Sequence, residues 1–491
     1  MNFDDNSASP LDAQTGRRRS AVVLVFDRLQ PAFLGPYGGT ACETPACNRL
    51  AAEGFVAEQC YADAAELESV YLSYWSGLHA VQRANVGGNA TESTPNGRSL
   101  AERLEAAHIP TELLTDDPRV ASHRWSEGFG NRLAIDHGAA PTEAETAGSM
   151  RVAQVLAAAA ERWEQSERPG LLWMHAAAWD DAWDAPYEFR QQWADPEDPA
   201  PPTFATPPQK LSTTALDHDE LLGYVQGYVG QVAAWDACLE AFLESFLASP
   251  LAADALLIVT SPRGFPLGEH HRVGAVPPAL FNELLQLPLL IRYPQGAHPL
   301  VRDQGFIQPA DLYATLLDWF AVSPTPPRAS STEDSLPTSS AAILEKEDAE
   351  PNAEDAERFA STTVWGQSLL PRVEGLPDQT RRLAAATTHG QLVVRTPRWL
   401  LRMVNAAADM PQDAAFDQPR EAVSNQVPDA SFEMSTETAP ASPTLDGDVR
   451  VELYVKPDDR WEANEVSSRC EADLHNLRIL ADAIRGRSTR S

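Results

Sequence analysis

Two spacings of apolar residues alternate along the chain. Continuous, β-branched runs at 21–26 (AVVLVF), 111–114, 170–176 (GLLWMHA), 255–260 (ALLIVT) and 288–292 (PLLIR) predict strands buried on both faces. Between them, helical spacing predicts helices over 44–54, 72–78, 99–107, 151–164, 219–247 and 308–320, the fifth expected as two helices. The segment 44–54 (TPACNRLAAEG) carries its own punctuation: Thr44 to cap, Pro45 in the first turn and Gly54 to stop. Strands alternating with helices imply crossover connections and an α/β fold, a mainly parallel central sheet with helices on both faces.

The pattern changes after about residue 387. Short runs at 391–395, 397–404 and 449–455 predict antiparallel strands, and 468–485 a closing helix, together a small C-terminal α+β subdomain. The expected organisation is a tail over 1–20, an α/β domain over 21–386 and the subdomain over 387–491. Three stretches, 195–209, 323–357 and 406–448, are rich in Pro, Ser and acid and poor in large apolar residues. They are expected to stay disordered, because little apolar burial is on offer to offset the entropy of ordering.

Composition narrows the function. With 38 Lys+Arg against 70 Asp+Glu, the formal charge is −32, which disfavours nucleic acid and anionic membrane surfaces as partners. A small anion would need a local basic pocket, and a protein partner would use the acidic insertions. The run at 21–26 is too short for a signal-peptide core, and no stretch approaches a membrane span. Five scattered cysteines (Cys42, Cys47, Cys60, Cys238 and Cys470) suggest reduced thiols and a cytoplasmic home.

The stretch 257–274, LIVTSPRGFPLGEHHRVG, ends a strand in a turn where catalytic α/β enzymes often hold metal ligands, yet the turn offers Pro262 and Arg263. The order of motifs explains the frame. The opening VVLVFDRLQPAFLGPYGGTACETPACNRLAAEG, the SGLHA at 76–80, TSPRGFPLGEH, LPLLIRYPQG, QPADLYATLLDWFAV, WGQSLLPRVEG, VVRTPRWLLR and ELYVKPDDRWEANEV together resemble the sulfatases of the alkaline phosphatase superfamily. The resemblance runs from residue 21 to the C-terminus and implies that superfamily's fold. An active member holds a divalent cation on carboxylates after the first strand and at a later Asp-His-Gly. Its nucleophile comes from a Cys or Ser followed by x-Pro-Ser-Arg.

Matched residue by residue, the chemistry is missing. Asp27 matches the first aspartate, but Arg28 replaces the second, and Pro262 and Arg263 stand for the later aspartate and histidine. The nucleophile position falls near Leu67 and its arginine near Tyr71. The expected lysine and histidine fall on 116–118, and a closing-sheet lysine falls on Trp399 or Leu400. The resemblance therefore implies a sulfatase-like pseudoenzyme that keeps the fold for ligand binding or regulation, with no metal and no other cofactor. Two alternatives remain open: a divergent sulfuric or phosphoric ester hydrolase with a relocated site, and a scaffold acting through its acidic insertions.

Five groups of residues are candidates for chemistry. Asp27 is expected to pair with Arg28 or Arg263, because one carboxylate does not hold a dication against water. Arginine is thus expected to replace the metal as counter-charge. Ser69 is a candidate shifted nucleophile, although a hydroxyl without metal or base is weak. Glu269 and His270 would serve as acid and base, against the expected role of a retained structural loop. His175 is expected to be a hydrogen-bonded strand histidine. Together with Trp179, Trp183 and Tyr187 it either lines a sugar-binding cleft or packs a loop.

Overall fold

The computed structural model describes residues 19–86, 98–276, 279–323, 366–373, 381–388, 390–405 and 449–485. The stretches expected to be disordered at 323–357 and 406–448 lie outside these residues, apart from Ser323, as does most of the tail over 1–20.

Sixteen strands are described. They are β1 (Ser20–Phe26), β2 (Phe55–Ala57), β3 (Cys60–Tyr61), β4 (Thr111–Thr115), β5 (Asn131–Ala134), β6 (Leu171–Ala176), β7 (Lys210–Leu211), β8 (Ala255–Thr260), β9 (Arg272–Val273), β10 (Gln286–Leu287), β11 (Leu289–Arg292), β12 (Val301–Asp303), β13 (Ala384–Thr388), β14 (Gln391–Arg395), β15 (Trp399–Asn405) and β16 (Val449–Val455). The main sheet has eight strands in the order β12-β2-β11-β8-β1-β6-β4-β5. It is parallel throughout except where β11 runs against both β8 and β2.

β1 is central and shows why its sequence is apolar without interruption. Val23 and Val25 point into one core, with the helices Leu67–Ser76, Leu100–Ala106 and Pro309–Trp319. Val22, Leu24 and Phe26 point into the other, with Pro45–Ala52, Arg151–Glu164 and His218–Ala248. A strand covered on both sides has no position left for a polar residue. The small sheet β13-β14-β15-β16 is antiparallel. One face, with Ala384, Val393, Leu400 and Tyr454, joins the first core. The other, with Leu392, Leu401 and Leu453, is covered by the helix Glu471–Ile484.

Among the differences between the structure and the sequence expectation, three bear most on the fold. The helix expected as two is one continuous 31-residue helix, His218–Ala248. Gly230 marks a close approach: a Cβ there would lie 2.6 Å from Arg190 Cγ and 3.0 Å from the Arg190 backbone. The stretch 195–209, expected to stay unfolded, is described chain held by side chains from elsewhere. The buried Arg190 guanidinium donates to Pro202 O at 2.5 Å and Phe204 O at 2.9 Å, and Trp183 N–H donates to Ala205 O at 2.7 Å. The C-terminal sheet begins at Ala384, slightly before the expected boundary at 387.

Candidate functional site

Four adjacent parallel strands, β8, β1, β6 and β4, end at the same edge, where open α/β sheets place their ligands. Each contributes a charged residue from the turn that follows it. Asp27 and Arg28 follow β1, and Arg263 follows β8. Asp117 and Arg119 follow β4, and Asp180 closes the single turn Ala178–Asp180 after β6.

Local chemistry fixes these turns. Ser261 Oγ donates to Arg263 O at 2.7 Å and accepts from Leu29 N–H at 3.2 Å, so one hydroxyl ties the β8 turn to the β1 turn. Gly264 is required by close approach, since a Cβ there would sit 2.0 Å from Glu283 O. Arg28 adopts a left-handed φ of 66°, costly for a residue with a side chain. Tyr228 holds it there, donating to Arg28 O and accepting from Gln30 N–H, both at 2.8 Å. Asp117 caps the short helix Pro118–Ala121 by accepting Arg119 N–H at 2.8 Å.

The charged side chains close on one another. Arg263 Nε and Nη2 donate to Asp27 Oδ1 and Oδ2 at 2.9 and 2.7 Å, a two-pronged pair, and Nη2 also meets Asp180 Oδ2 at 3.1 Å. Arg28 bonds Asp180 through Nε, so Arg28 serves Asp180 and Arg263 serves Asp27. Arg119 Nη2 reaches Asp117 Oδ2 at 2.5 Å and Asp180 Oδ2 at 2.7 Å, and stands 3.6 Å from Asp27 Oδ2. Three guanidiniums therefore balance three carboxylates. Arg119, with 38% of its side chain exposed, is the most open of the six, and the others are largely buried.

Electrostatics follow from burial and this balance. Burial favours the neutral form of Asp180, but Arg28, Arg263 and Arg119 around it hold its pKa well below the usual carboxylate range. Burial acts the same way on Asp117, and the facing His175 and Arg119 hold it low. Burial also works against the charge on Arg263, yet Asp27 raises its pKa above the ordinary arginine value. Arg28 is pushed down by burial and by its neighbour Arg263.

Asp27, Asp117 and His175 bring three candidate ligand atoms within 4.8 Å of one another, at the position where the superfamily implies a dication. The residues do not fit one. Both oxygens of Asp27 are engaged by Arg263, Asp117 is engaged by Arg119, and the cluster has no surplus negative charge to hold a hard cation. His175 lies fully buried in β6. Its Nδ1 is 2.6 Å from the Tyr71 hydroxyl, and its Nε2 is 3.6 Å from Asp117 Oδ2.

Beside the cluster lies a cavity of about 160 Å³, lined among others by Arg28, Arg263, Arg272, Glu66, Leu67 and Glu68. Leu67, at the expected nucleophile position, thus contributes an inert side chain to the cavity wall.

The other candidates lie apart from this arrangement. Ser69 Oγ accepts from Arg83 Nη2 at 2.6 Å, and its hydrogen bonds include no imidazole or carboxylate. Glu269 Oε2 accepts Leu267 N–H at 2.6 Å, and burial raises the pKa of its carboxyl. The His270 ring stacks on Phe281 at 3.5 Å, and its Nδ1 lies 2.9 Å from Glu283 Oε1. Pro262 is buried in the turn. Of the two readings of the aromatic group, cleft or packing, burial favours packing for Trp179 and Trp183, which are 1% and 0% exposed and pack edge-on against Trp235 and Tyr228 respectively. Tyr187 is half-buried and donates to Pro201 O at 3.0 Å. Trp399 and Leu400, at the expected lysine position, are buried in β15.

Sequence reading missed Asp117, Arg119 and Asp180 as members of the cluster. The run TDDPR at 115–119 is a capping signal, and only the placement of β4 and β6 beside β1 turns it into part of a site.

Comparison with known proteins agrees with this architecture. Residues 19–322 match the family model described as Sulfatase. A phosphonate monoester hydrolase of Agrobacterium radiobacter superposes with a TM-score of 0.66 at 15% identity, covering 96% of each chain. A structure from Bacteroides thetaiotaomicron, described as a putative sulfatase, gives 0.59 at 14% identity, over 96% of this chain and 93% of that one. Among curated proteins, a multifunctional alkaline phosphatase superfamily protein of Trinickia caryophylli is 30% identical over 102 residues. That match spans 21% of this chain and 16% of the relative.

Proposed function

The chain belongs to the sulfatase family, and from that premise we propose that it is a member that keeps the fold without the ester hydrolysis. The observation that carries this reading is the two-pronged Arg263–Asp27 pair inside a charge-balanced cluster. In family chemistry a cation polarises the ester and a nucleophile attacks it. Here a guanidinium engages the carboxylate that would hold the cation, and Leu67 stands where the nucleophile is expected. Arg28, Arg263 and Arg272 line the neighbouring cavity together with Glu66 and Glu68, more cations than carboxylates in its wall, so the ligand class we assign is a small anion, bound and released intact. The five thiols are all free, which supports a reducing, cytoplasmic setting. No helix among the described residues is long and apolar enough to cross a membrane.

The test is an assay of the full chain against aryl sulfate and aryl phosphate, with and without calcium, alongside calorimetric titration with inorganic sulfate. The expected result is no turnover above buffer and measurable sulfate binding that weakens in Arg28→Ala. Turnover that disappears in Ser69→Ala would instead establish a relocated hydrolase site.

A further inference from the structure

β5 closes one edge of the main sheet, and its outer side is open among the described residues. All four residues Asn131–Ala134 are exposed, and Leu133 is one of the few large apolar side chains exposed in the described structure, at 40%. Native edges are usually blunted by a proline, a bulge, a lysine or a covering segment. The run NRLAIDHG at 131–138 has neither proline nor lysine.

Its hydrogen-bonding parity is fixed from inside. Ile135 N–H donates to Thr115 O on β4 at 2.8 Å. In a parallel pair, alternate residues turn their N–H and C=O to the neighbour. Asn131, Leu133 and Ile135 therefore bond inward, and Arg132, Ala134 and, where the strand direction continues, Asp136 present theirs outward. No hydrogen bond among the described residues uses the outward backbone groups of Arg132 or Ala134.

From this register we infer that β5 pairs antiparallel with β5 of a second copy of the chain, on a two-fold axis through Ala134. An axis through a residue whose N–H and C=O both point outward is a permitted antiparallel register, because the two Ala134 residues exchange both bonds. The same axis sets Arg132 opposite Asp136 of the other copy, and Asp136 opposite its Arg132, giving two reciprocal opposite-charge pairs. On the other face it sets Leu133 opposite Ile135 twice, covering the exposed leucine. Ile135 already packs at the margin of the second core, so the new apolar contact continues an existing one. Asp136 is held at the strand end by accepting Gly138 N–H at 2.8 Å. A shift of the axis by one residue in either direction still permits a ladder, with a non-hydrogen-bonded pair on the axis, but removes the Arg132–Asp136 pairing. The sequence thus complements itself in this one register, and the product is a two-fold dimer with a continuous sixteen-stranded sheet.

Sedimentation velocity of the full chain tests this. The expected result is a dimer for the wild type. Arg132→Glu and Asp136→Arg, each of which opposes like charges at two positions, are expected to weaken the dimer about tenfold or more. The double variant, which exchanges the charges, is expected to regain wild-type affinity. Thermal melts of all three confirm that folding is unchanged; if either single variant melts early, Leu133→Lys on the other face is measured in its place and is expected to weaken the dimer. A wild type that stays monomeric up to its solubility limit overturns the inference. So does a dimer indifferent to the single changes, or a double variant that associates no better than they do.

Discussion

Arg263 and Asp27, 236 residues apart in sequence, face each other through two hydrogen bonds of 2.9 and 2.7 Å with the carboxylate fully buried. The geometry matches the fork of a guanidinium to the two oxygens of a carboxylate. It joins the ends of two neighbouring strands, β1 and β8, whose turns would repel one another if both were acidic.

Breaking that pair from one side leaves a buried charge alone. Arg263→Ala and Asp27→Ala should each cost about 3 kcal/mol in urea denaturation. The double variant should lose clearly less than the sum, because the second change removes a charge already stranded by the first. Strictly additive losses would show that the two side chains do not support each other. Asp180 complicates the cycle in a known direction: it also contacts Arg263 at 3.1 Å, so Arg263→Ala should be the costlier single change.

Acid sensitivity should come first from histidines, not from the cluster. Burial holds His79 and His123 neutral, each with its pKa lowered to about 4. Both bind a proton near pH 6.5 once unfolded. The unfolded state therefore takes up more protons between those values, and stability falls as pH drops from about 6.5 toward 4. For His79, fully buried, the loss is on the order of 3 kcal/mol. Asp117 and Asp180, held low, give up their contribution only at more acid pH still. Melting temperature measured from pH 7.5 to 4 should decline over this window, and His79→Gln should flatten the decline. An equally steep fall in that variant would contradict the assignment.

The tryptophans should behave as core. Trp183→Ala is expected to destabilise the chain by about 4 kcal/mol. Adding mono- or oligosaccharides should leave the tryptophan fluorescence of the wild type unchanged. A saturable spectral shift lost in Trp183→Ala would restore the aromatic cleft that burial argues against.

Much of this fold was legible in the sequence because strands covered on both faces leave no ambiguity. β8 was read to its residue bounds and β1 to within one residue, and the helix Arg151–Glu164 to both ends. The short strands β2, β3, β5, β7, β9, β10 and β12, of two to four residues, carry too little periodicity to see. The segment 219–247, expected as two helices, is one continuous helix with Gly223, Gly227 and Gly230 inside it, and a glycine in a helix serves close packing as well as breaking. At Gly230 the approach of Arg190 decides which one applies. The site divides in the same way. Asp27 could be set against Arg28 or Arg263 from strand-end motifs alone, though not against one rather than the other. Asp117, Arg119 and Asp180 could not, because their meeting depends on the strand order β8-β1-β6-β4, which no local pattern encodes.

In the proposed reading arginine stands as the counter-charge where the family holds a metal ion, and the metal content of the purified full chain decides the matter. After equilibration with excess calcium or magnesium and removal of free ion, elemental analysis should find far less than one ion per chain, and the melting temperature should be the same with and without chelator. One tightly held ion per chain, lost in Asp27→Asn and with it a measurable part of the thermal stability, would show that the site still holds a metal.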